Sequence, residues 1–491
     1  MRRSNGILMP VSSLPSDYGI GTFGEKAYQF VDFLKSAGQT YWQILPIGPT
    51  SYGDSPYQSF SAFAGNPYFI DLDFLVTDGY LMPDELPPKC ECSESIDYGA
   101  LYNSRFLVLK KAAARLEDTN ADFSYFKACN ISWLEDYALF MALKDKNGGR
   151  SYNEWCDEER LREPAAMEHL RTQLKDEIHF WCAVQYFFFF QWGNLKKYAN
   201  ERGIEIIGDM PIYVSEDSAD IWANPDMFEV DEQGRPISVA GCPPDAFSAT
   251  GQLWGNPLYD WKYHKDNDFE WWIRRIRHAS NIYDVVRIDH FRAFAGFYAI
   301  PAGDDTAAGG EWRTGPGIEF IDAVKRAVPE AKIIAEDLGF LTPDVYQLLQ
   351  DSGFPGMKVL QFAFDSREES DYLPHNYNRN CVCYTGTHDN STTEGWRELA
   401  AEEDVAFAKE YLGVEDDNDL TYAFIRAAMS SVSDVAIEPI QDWLRLDNSA
   451  RINTPSTLGG NWSFRVRGDM LGEQLARVIY RYTKIYGRLT Y

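Results

Sequence analysis

The sequence is poor in basic residues for its length. Across 491 residues, 46 Lys and Arg stand against 74 Asp and Glu, which gives a formal net charge of −28 at pH 7. Phosphate backbones and anionic lipid surfaces are negatively charged, so a chain with this balance repels them. We therefore expect neither nucleic acid nor a membrane as a partner, and we attribute most of the excess acid to solubility.

Long uninterrupted hydrophobic runs are also missing. The most apolar window, FWCAVQYFFFFQW at 180–192, contains two Gln and is shorter than the roughly 20 residues that a membrane-spanning helix needs. It predicts a buried helix instead. The start of the chain, MRRSNGILMP, lacks the hydrophobic stretch of a signal peptide because Pro10 and the serines after it interrupt the run. We expect a cytoplasmic protein.

Cysteine pairs suited to metal binding are absent from the sequence as well. Its eight Cys form no C-x-x-C pair, and the C-x-C pairs at 90–92 and 381–383 have no His nearby in zinc-finger spacing. These residues predict reduced thiols, and we expect neither a metal nor a cofactor. The sequence does not decide between a monomer and a homodimer.

What the sequence does contain is a series of short apolar runs that end in polar or charged residues. Continuous runs of this kind predict parallel strands covered on both faces, and helix-like patterns such as AYQFVDFLKSAG at 27–38 lie between them. Strands alternating with helices predict an α/β fold, a (β/α)8 TIM barrel with inserted, mainly helical subdomains. The eight runs lie at 5–16, 41–57, 204–214, 284–294, 331–339, 357–362, 381–389 and 434–443.

Two connections are too long for simple crossovers. The second includes GCPPDAFSATGQLWGNPLYDW at 241–261, whose Gly, Pro and aromatic residues predict a lid or binding rim, with a rigid surface loop as the alternative. The last stretch, at 471–486, predicts a closing barrel helix. We divide the chain into strands 1 and 2 (1–65), an inserted helical subdomain (66–180), strand 3 (181–214), an insertion with the covering loop (215–280), and strands 4 to 8 with closing helices (281–491).

Three acidic residues follow apolar runs where a barrel would place its active site. Asp289 in VVRIDHFRAF follows the fourth run, Glu336 in IIAEDLG the fifth, and Asp389 in TGTHDN the seventh. The carboxyl ends of the strands build the active site of such a barrel. One acid after a strand is often only a helix cap, but three on one face, two of them beside a His, predict a catalytic group.

The side chains beside these acids bear on how the acids are used. Carboxylates in one pocket either hold a divalent metal or divide acid, base and nucleophile roles among them. Arg287 and Asp289 lie two residues apart, so strand alternation points both to the same side. A guanidinium keeps that carboxylate ionised and repels a cation. His290 and His388 are suited to hydrogen-bond sugar hydroxyls, with a structural role in a polar core as the alternative.

Aromatic residues make up 15% of the chain, including 14 Trp. Sugar rings have apolar faces that stack on aromatic planes. Four aromatic residues lie in segments expected at the barrel mouth, although each taken alone is more often a core residue than a ligand contact: Tyr52, Tyr57, Phe247 and Trp254.

The motifs also resemble known sequences. RIDHFRAF, IIAEDLG and GTHDN, in this order, resemble the catalytic segments of the alpha-amylase clan. Four longer segments are more specific and resemble the amylomaltase family, bacterial 4-alpha-glucanotransferases also called disproportionating enzymes. They are YGDSPYQSFSAFAGNPY (52–68), GDMPIYVSEDSADIW (208–222), GQLWGNPLYDW (251–261) and RINTPSTLGGNWSFR (451–465). The resemblance covers nearly the whole chain. The sequence departs from the family pattern at a few positions, such as Ser391, where Asp often follows THDN, but none of these departures affects the three acids.

The resemblance implies a role for each matching residue. Asp289 would be the nucleophile, Glu336 the general acid and base, and Asp389 the acid that holds the hydroxyls of the distorted sugar. Further sugar contacts are implied for Arg287, His290 and His388 in the same subsite, Asp209 and Tyr57 on the donor side, Phe247 and Trp254 in the loop over the acceptor side, and Asn461 as an additional position.

The implied reaction is the transfer of an alpha-1,4-glucan segment from a donor maltooligosaccharide to the 4-hydroxyl of glucose or another glucan. It is a retaining double displacement through a covalent glucosyl-enzyme. Three alternatives stay open from the residues alone: a retaining alpha-glucan hydrolase of the same clan, a metal-assisted lyase, and a glucan-binding protein without activity. The long aromatic loop favours transfer, since a lid that excludes water favours a sugar acceptor. Arg287 disfavours a metal.

Overall fold

The computed structural model describes residues 1–51, 53–89, 95–244, 250–339, 341–457 and 459–490. The strands in these ranges are β1 (Ser4–Leu8), β2 (Tyr41–Gln43), β3 (Glu205–Met210), β4 (Ser238–Cys242), β5 (Gln252–Pro257), β6 (Val285–Ile288), β7 (Gly296–Pro301), β8 (Glu311–Thr314), β9 (Ile333–Ala335), β10 (Gly356–Val359), β11 (Cys381–Tyr384) and β12 (Val435–Pro439).

The helices in the same ranges are α1 (Glu25–Ser36), α2 (Leu72–Thr77), α3 (Tyr98–Ala113), α4 (Ala121–Cys129), α5 (Leu134–Lys146), α6 (Asp157–Arg160), α7 (Pro164–Gln173), α8 (Lys175–Glu201), α9 (Ala219–Ala223), α10 (Trp261–Asp266), α11 (Glu270–Ile282), α12 (Gly317–Ala327), α13 (Pro343–Ser352), α14 (Thr393–Leu399), α15 (Glu402–Leu412), α16 (Leu420–Ser430), α17 (Ile440–Leu444) and α18 (Glu473–Ile485). None of these is long and apolar enough to cross a membrane.

Eight of the described strands form one parallel sheet in the order β10-β11-β12-β1-β2-β3-β6-β9. Its two ends meet, because the backbone N–H of Ala335 at the end of β9 donates to the carbonyl of Pro355, just before β10, at 2.9 Å. Each of the eight apolar runs overlaps one of these strands. The prediction of a (β/α)8 barrel is therefore confirmed.

Close packing inside and around the barrel depends on particular side chains. A Cβ atom at Gly6 of β1 would lie 2.5 Å from the Cβ of Tyr41 on β2, so only glycine fits there. Across the interior, the Tyr384 hydroxyl donates to Gln43 at 2.9 Å. On the outer face, Trp42 packs against Phe30 of α1 with ring centroids 5.2 Å apart. The barrel core is thus filled by side chains on both faces of the strands.

The predicted helices at both ends of the chain are present. Helix α1 overlaps the pattern at 27–38, α18 lies within the predicted closing helix, and these two helices pack against each other. The apolar window at 180–192 lies inside α8 and is mostly buried. Helices α2 to α7 fall within the predicted insertion, whereas the boundaries at 180 and 280 fall inside α8 and α11. The proposed division of the chain stays a prediction.

A second sheet was not predicted. Strands β4, β5, β7 and β8 form an antiparallel sheet in the order β5-β4-β7-β8. It combines the long insertion after β3 with the connection from β6 to β9. The segment predicted as a lid at 241–261 therefore contributes β5 and the end of β4 to a sheet, which fixes part of that segment beside the mouth of the barrel.

Candidate active site

Two neighbouring strands bring a buried ion-pair network to the mouth of the barrel. Asp209 on β3 pairs in register with Arg287 on β6. The Arg287 guanidinium donates to both carboxylate oxygens of Asp209, at 2.8 and 2.7 Å, and to Oδ1 of Asp289 at 2.9 Å. Burial opposes the charge on Arg287, but the two carboxylates outweigh it and raise its pKa. A permanent cation therefore lies between these acids, where a shared metal ion would have to lie.

Asp289 keeps one oxygen available for chemistry. Its Oδ1 accepts from Arg287, whereas Oδ2 has no hydrogen-bond partner within the described ranges. Its backbone N–H donates to the carbonyl of Met210 at 3.0 Å, which fixes it at the end of β6. A charged carboxylate with one free oxygen, held beside a guanidinium, is suited to act as a nucleophile.

Glu336 lies beside Asp289 in a different environment. Its carboxylate accepts backbone hydrogen bonds from His290 at 2.7 Å and from Leu338 at 2.6 Å. Burial, followed by the negative charge of Asp289, raises the pKa of Glu336 to about 7, against the opposing effects of Arg287 and the two backbone donors. The side chain is therefore partly protonated near neutral pH, as a general acid requires.

His290 has two features that shape this corner of the site. Its backbone is left-handed, with φ of 51°, and this turn directs its N–H at Glu336. Burial lowers the pKa of its imidazole to about 4, although Asp289 opposes the shift. The neutral ring lies edge-on against Trp254 of β5, with centroids 4.8 Å apart.

Asp389 follows β11 and is held by its neighbours. Asn453 donates to Oδ1 at 2.7 Å, and Nε2 of His388 lies 3.4 Å from Oδ2. Burial would raise the pKa of Asp389, but His388 and Asn453 together lower it. Asp389 in turn raises the pKa of His388 against the effect of burial. The lowered pKa means that the third predicted acid is ionised near neutral pH. Its side chain is half-exposed.

Aromatic rings form the walls near these acids. The Tyr57 hydroxyl donates to Asp209 at 2.8 Å, and its ring stacks on His388 with centroids 5.1 Å apart. Trp462 packs against Tyr57 at 5.8 Å. Tyr57 and Trp254 thus lie where the sequence predicted them, at the barrel mouth. Tyr52 and Phe247 lie outside the described residues.

Asn461 is the one described candidate whose side chain faces elsewhere. Its Oδ1 accepts from the backbone of Thr454 at 2.9 Å, and its Nδ2 donates to Thr457 at 3.2 and 3.1 Å. Asn461 therefore shapes the loop that precedes Trp462 and is not part of the cleft wall. Its implied role in sugar binding stays a prediction.

The side chains of this network open onto a cleft with a volume of about 590 Å³. Two of the acids line it, together with both predicted histidines and loop residues that follow several barrel strands. The lining includes Ser55, Tyr57, Gln58, Tyr213, Trp254, Asn256, Asp289, His290, His388, Asp389, Asn453, Ser456 and Trp462. A concave site of this size, with aromatic walls and a few fixed polar groups, suits an oligosaccharide.

Sequence reasoning missed the residues that hold the loop carrying Asp389. Asp442 on α17 accepts from Thr385 at 2.5 Å, and from the backbone and hydroxyl of Thr393, each at 2.8 Å. Arg451 donates to the carbonyl of Asp389 at 2.6 Å. The two ends and the middle of the segment 385–393 are thereby fixed by residues that follow β12. Arg451 and Asn453 belong to RINTP, the start of the quoted motif at 451–465. Membership in this motif was the only feature of the sequence that could have pointed to them.

A (β/α)8 barrel whose mouth brings together three acids, an arginine and aromatic rings is typical of a carbohydrate-active enzyme. The sequence profile of the 4-alpha-glucanotransferase family matches residues 9–471, and the chain belongs to this family.

Full-length relatives agree with the family assignment. The 4-alpha-glucanotransferase of Clostridium butyricum is 49% identical, over 98% of this chain and 100% of its own length. The 4-alpha-glucanotransferase of Streptococcus pneumoniae serotype 4 is 50% identical, over 99% of this chain and 98% of its own length. Among solved structures, an amylomaltase from Streptococcus agalactiae in complex with acarbose superposes with a TM-score of 0.96, at 42% identity and with 100% of both chains covered.

Proposed function

We propose that this protein transfers segments of alpha-1,4-glucan from a donor maltooligosaccharide to the 4-hydroxyl of glucose or another glucan. The observation that carries the proposal is family membership over residues 9–471 in a chain whose three candidate acids meet at one barrel mouth. The oligosaccharide site is the cleft, and we infer that it binds acarbose as the Streptococcus agalactiae amylomaltase does.

In the first half of the reaction, Glu336 gives its proton to the glycosidic oxygen. Oδ2 of Asp289 attacks the anomeric carbon, the bond to the leaving glucan breaks, and a covalent glucosyl-enzyme forms. The raised pKa of Glu336 supplies the acid, and the Arg287 guanidinium holds the carboxylate of Asp289 in place through Oδ1. The two carboxyl groups thus have different surroundings, which suits them to different roles.

In the second half, Glu336 acts as a base. It takes the proton of the acceptor's 4-hydroxyl, the acceptor oxygen attacks the anomeric carbon, and the bond to Asp289 breaks. Two displacements at one carbon retain its configuration, so an alpha linkage is rebuilt. Loss of the proton to the first leaving group is what prepares Glu336 for this step.

Side chains around the three acids would hold the sugar. Asp389, with one oxygen held by Asn453, accepts hydrogen bonds from ring hydroxyls. Tyr57 offers a ring face that His388 and Asp209 hold in place, and Trp254 lies above His290 as a platform on the other side of the cleft. Tyr52, Phe247 and Asn461 keep their proposed roles as sugar contacts from the family resemblance.

A hydrolase that uses the same acids is the competing function, and incubation with maltotriose separates the two. Transfer produces free glucose together with maltooligosaccharides longer than the substrate. Hydrolysis gives only glucose and maltose, and that product pattern would overturn the proposal. The matched control is Asp289→Asn, which should form neither set of products.

Location and partners follow from the composition. The net charge of −28 supports the absence of nucleic acid and membrane partners, and we propose the cytoplasm as the location. We also propose that the chain is divided into segments that end at residues 65, 180, 214 and 280. The helical segment is inserted between the second and third barrel strands.

A further inference from the structure

A second groove lies away from the cleft, on the helical region. It has a volume of about 240 Å³ and lies between the end of α2, the beginning of α4 and the middle of α8. Its walls include Asp78, Tyr80, Asp122, Tyr186 and Phe190, none of which takes part in the active-site network. The groove therefore needs an explanation of its own.

Two tyrosine hydroxyls in the wall of the groove have no hydrogen-bond partner among the described residues, whereas the side chains of Asn120 and Gln191 are bonded to the protein. The Tyr186 side chain is only 8% exposed, yet its hydroxyl makes no hydrogen bond to any residue that the structure describes, and the same holds for the hydroxyl of Tyr80. Burial raises the pKa of Tyr186 to about 12, and Tyr80, Asp122 and Asp78 add to the shift because they face the same space. A hydroxyl that has no protein partner and opens into a groove is satisfied by water or a ligand.

Apolar ring surface lies beside these polar groups. Phe190 is 46% exposed, and its ring lies 6.0 Å from that of Tyr186 with an angle of 30° between the planes. Tyr80 packs against Phe187 at 4.9 Å, which fixes its position in the wall. The groove thus joins an exposed ring to hydroxyl and carboxylate groups that are free to form hydrogen bonds.

This chemistry narrows the class of ligand. Two carboxylates disfavour an anion. No group of three His, Cys, Asp or Glu side chains within the described ranges is arranged to hold a metal ion, and this groove is included. A pyranose ring offers hydroxyl donors for the carboxylates and an apolar face for the phenyl ring.

We propose that this groove is a second carbohydrate site, which binds glucosyl units of a long alpha-glucan while the cleft acts on another part of the same or a different chain. The inference rests on the proposed function, because that function supplies the polymer. A site of this kind raises the local concentration of polymer at the enzyme, and it has no effect on substrates too short to occupy both places.

The test compares Phe190→Ala and Asp122→Asn with the unaltered protein and with Tyr125→Ala. Tyr125 lies on α4 near Asp122, is 73% exposed and does not line the groove, so it controls for the loss of a surface aromatic residue. Two quantities are measured: retardation in native gels that contain amylose, and kcat/KM for maltotriose.

The expected result is a roughly three- to tenfold loss of amylose affinity in both groove variants, the size of one stacking or hydrogen-bonding contact. Activity on maltotriose should stay unchanged, and Tyr125→Ala should behave as the unaltered protein. Unchanged amylose retardation in both groove variants would overturn the inference while leaving the proposed function intact. A lack of transfer from maltotriose by the unaltered protein would instead reject the proposed function. Because Phe190 and Asp122 are exposed, neither variant should unfold the protein.

Discussion

The backbone N–H of His290 donates a hydrogen bond to Oε2 of Glu336 at 2.7 Å. The residue directly after Asp289 thus positions the side chain of the next strand, and the left-handed turn at His290 makes this geometry possible. Nucleophile and acid are therefore linked through one peptide unit, so that a change in the turn after β6 would displace both.

The pH dependence of the reaction should show the titration of Glu336. The pKa of this side chain is raised to about 7, and the first step needs its protonated form. We therefore expect kcat/KM for maltotriose to fall as the pH rises through about 7. A pH profile from 5 to 9 checks this, and a rate that stays level up to pH 9 would contradict the assignment.

Glu336→Gln should lose this dependence together with most of the activity. A maltosyl fluoride donor needs little protonation of its leaving group, so we expect the variant to complete the first displacement, with loss of fluoride, and to accumulate the maltosyl-enzyme. Mass spectrometry of peptides should then find the sugar on Asp289. A label on any other residue would show that the nucleophile is wrongly assigned.

Asp289→Asn should remove turnover by roughly a thousandfold or more, because an amide is a poor nucleophile. The fold should survive, since Asn can still accept the hydrogen bond from Arg287 at the position of Oδ1. Initial rates and thermal unfolding measured on the same sample check both statements. Substantial residual transfer by a folded variant would sink the proposed mechanism.

Asp442 should act as a positioning residue for Asp389. It holds Thr385 and Thr393 at the two ends of the loop that carries this acid. In Asp442→Ala we expect kcat to fall about 10- to 100-fold, the effect of a small misplacement of a catalytic group, with a smaller change in KM. Thr393→Ser keeps the hydroxyl and should retain most of the activity. A variant that loses stability but keeps its kcat would show that the role is only structural.

Glu438→Gln should stabilise the protein in a pH-dependent way. Glu438 on β12 is fully buried, and neither carboxylate oxygen has a hydrogen-bond partner among the described residues. Burial raises its pKa from 4.5 to about 8. The folded state therefore keeps a proton that the unfolded state releases above about pH 4.5, and stability relative to the variant is lost as the pH rises from there to about 8.

The expected difference reaches at most about 5 kcal/mol, from about 1.4 kcal/mol for each pKa unit. Urea unfolding of both proteins at pH 5 and pH 8.5 checks it. The advantage of Glu438→Gln should be larger at the higher pH, and an equal advantage at both values would contradict the assigned cause.

The barrel strands were predictable because both of their faces are buried, which produces continuous apolar runs. Two strands of the antiparallel sheet, β5 and β8, were not predictable for the opposite reason. Leu253 on β5 is 41% exposed and Trp312 on β8 is 46% exposed, and neither strand shows a continuous apolar run or a clear alternation of apolar and polar residues. Pairing with distant strands fixes these segments, and a local pattern does not contain that information.

The same distinction applies to the site. Asp289, Glu336 and Asp389 could be grouped because the carboxyl ends of parallel strands meet at one end of a barrel. The contacts of Asp442 and Arg451 join residues 49 to 62 positions apart. Only the packing of the loop after β12 against the loop after β11 brings them together.

The ring of strands is joined differently at one place. Strands β9 and β10 share no ladder of their own among the described residues. The join there relies on Ala335 donating to Pro355 and on the Asp337 carboxylate accepting from the backbone of Met357 at 2.6 Å. Glu336 lies between these two links. Thermal motion that parts this join would open the barrel on one side of Glu336, whereas the pairing of β9 with β6 would keep the acid beside its nucleophile.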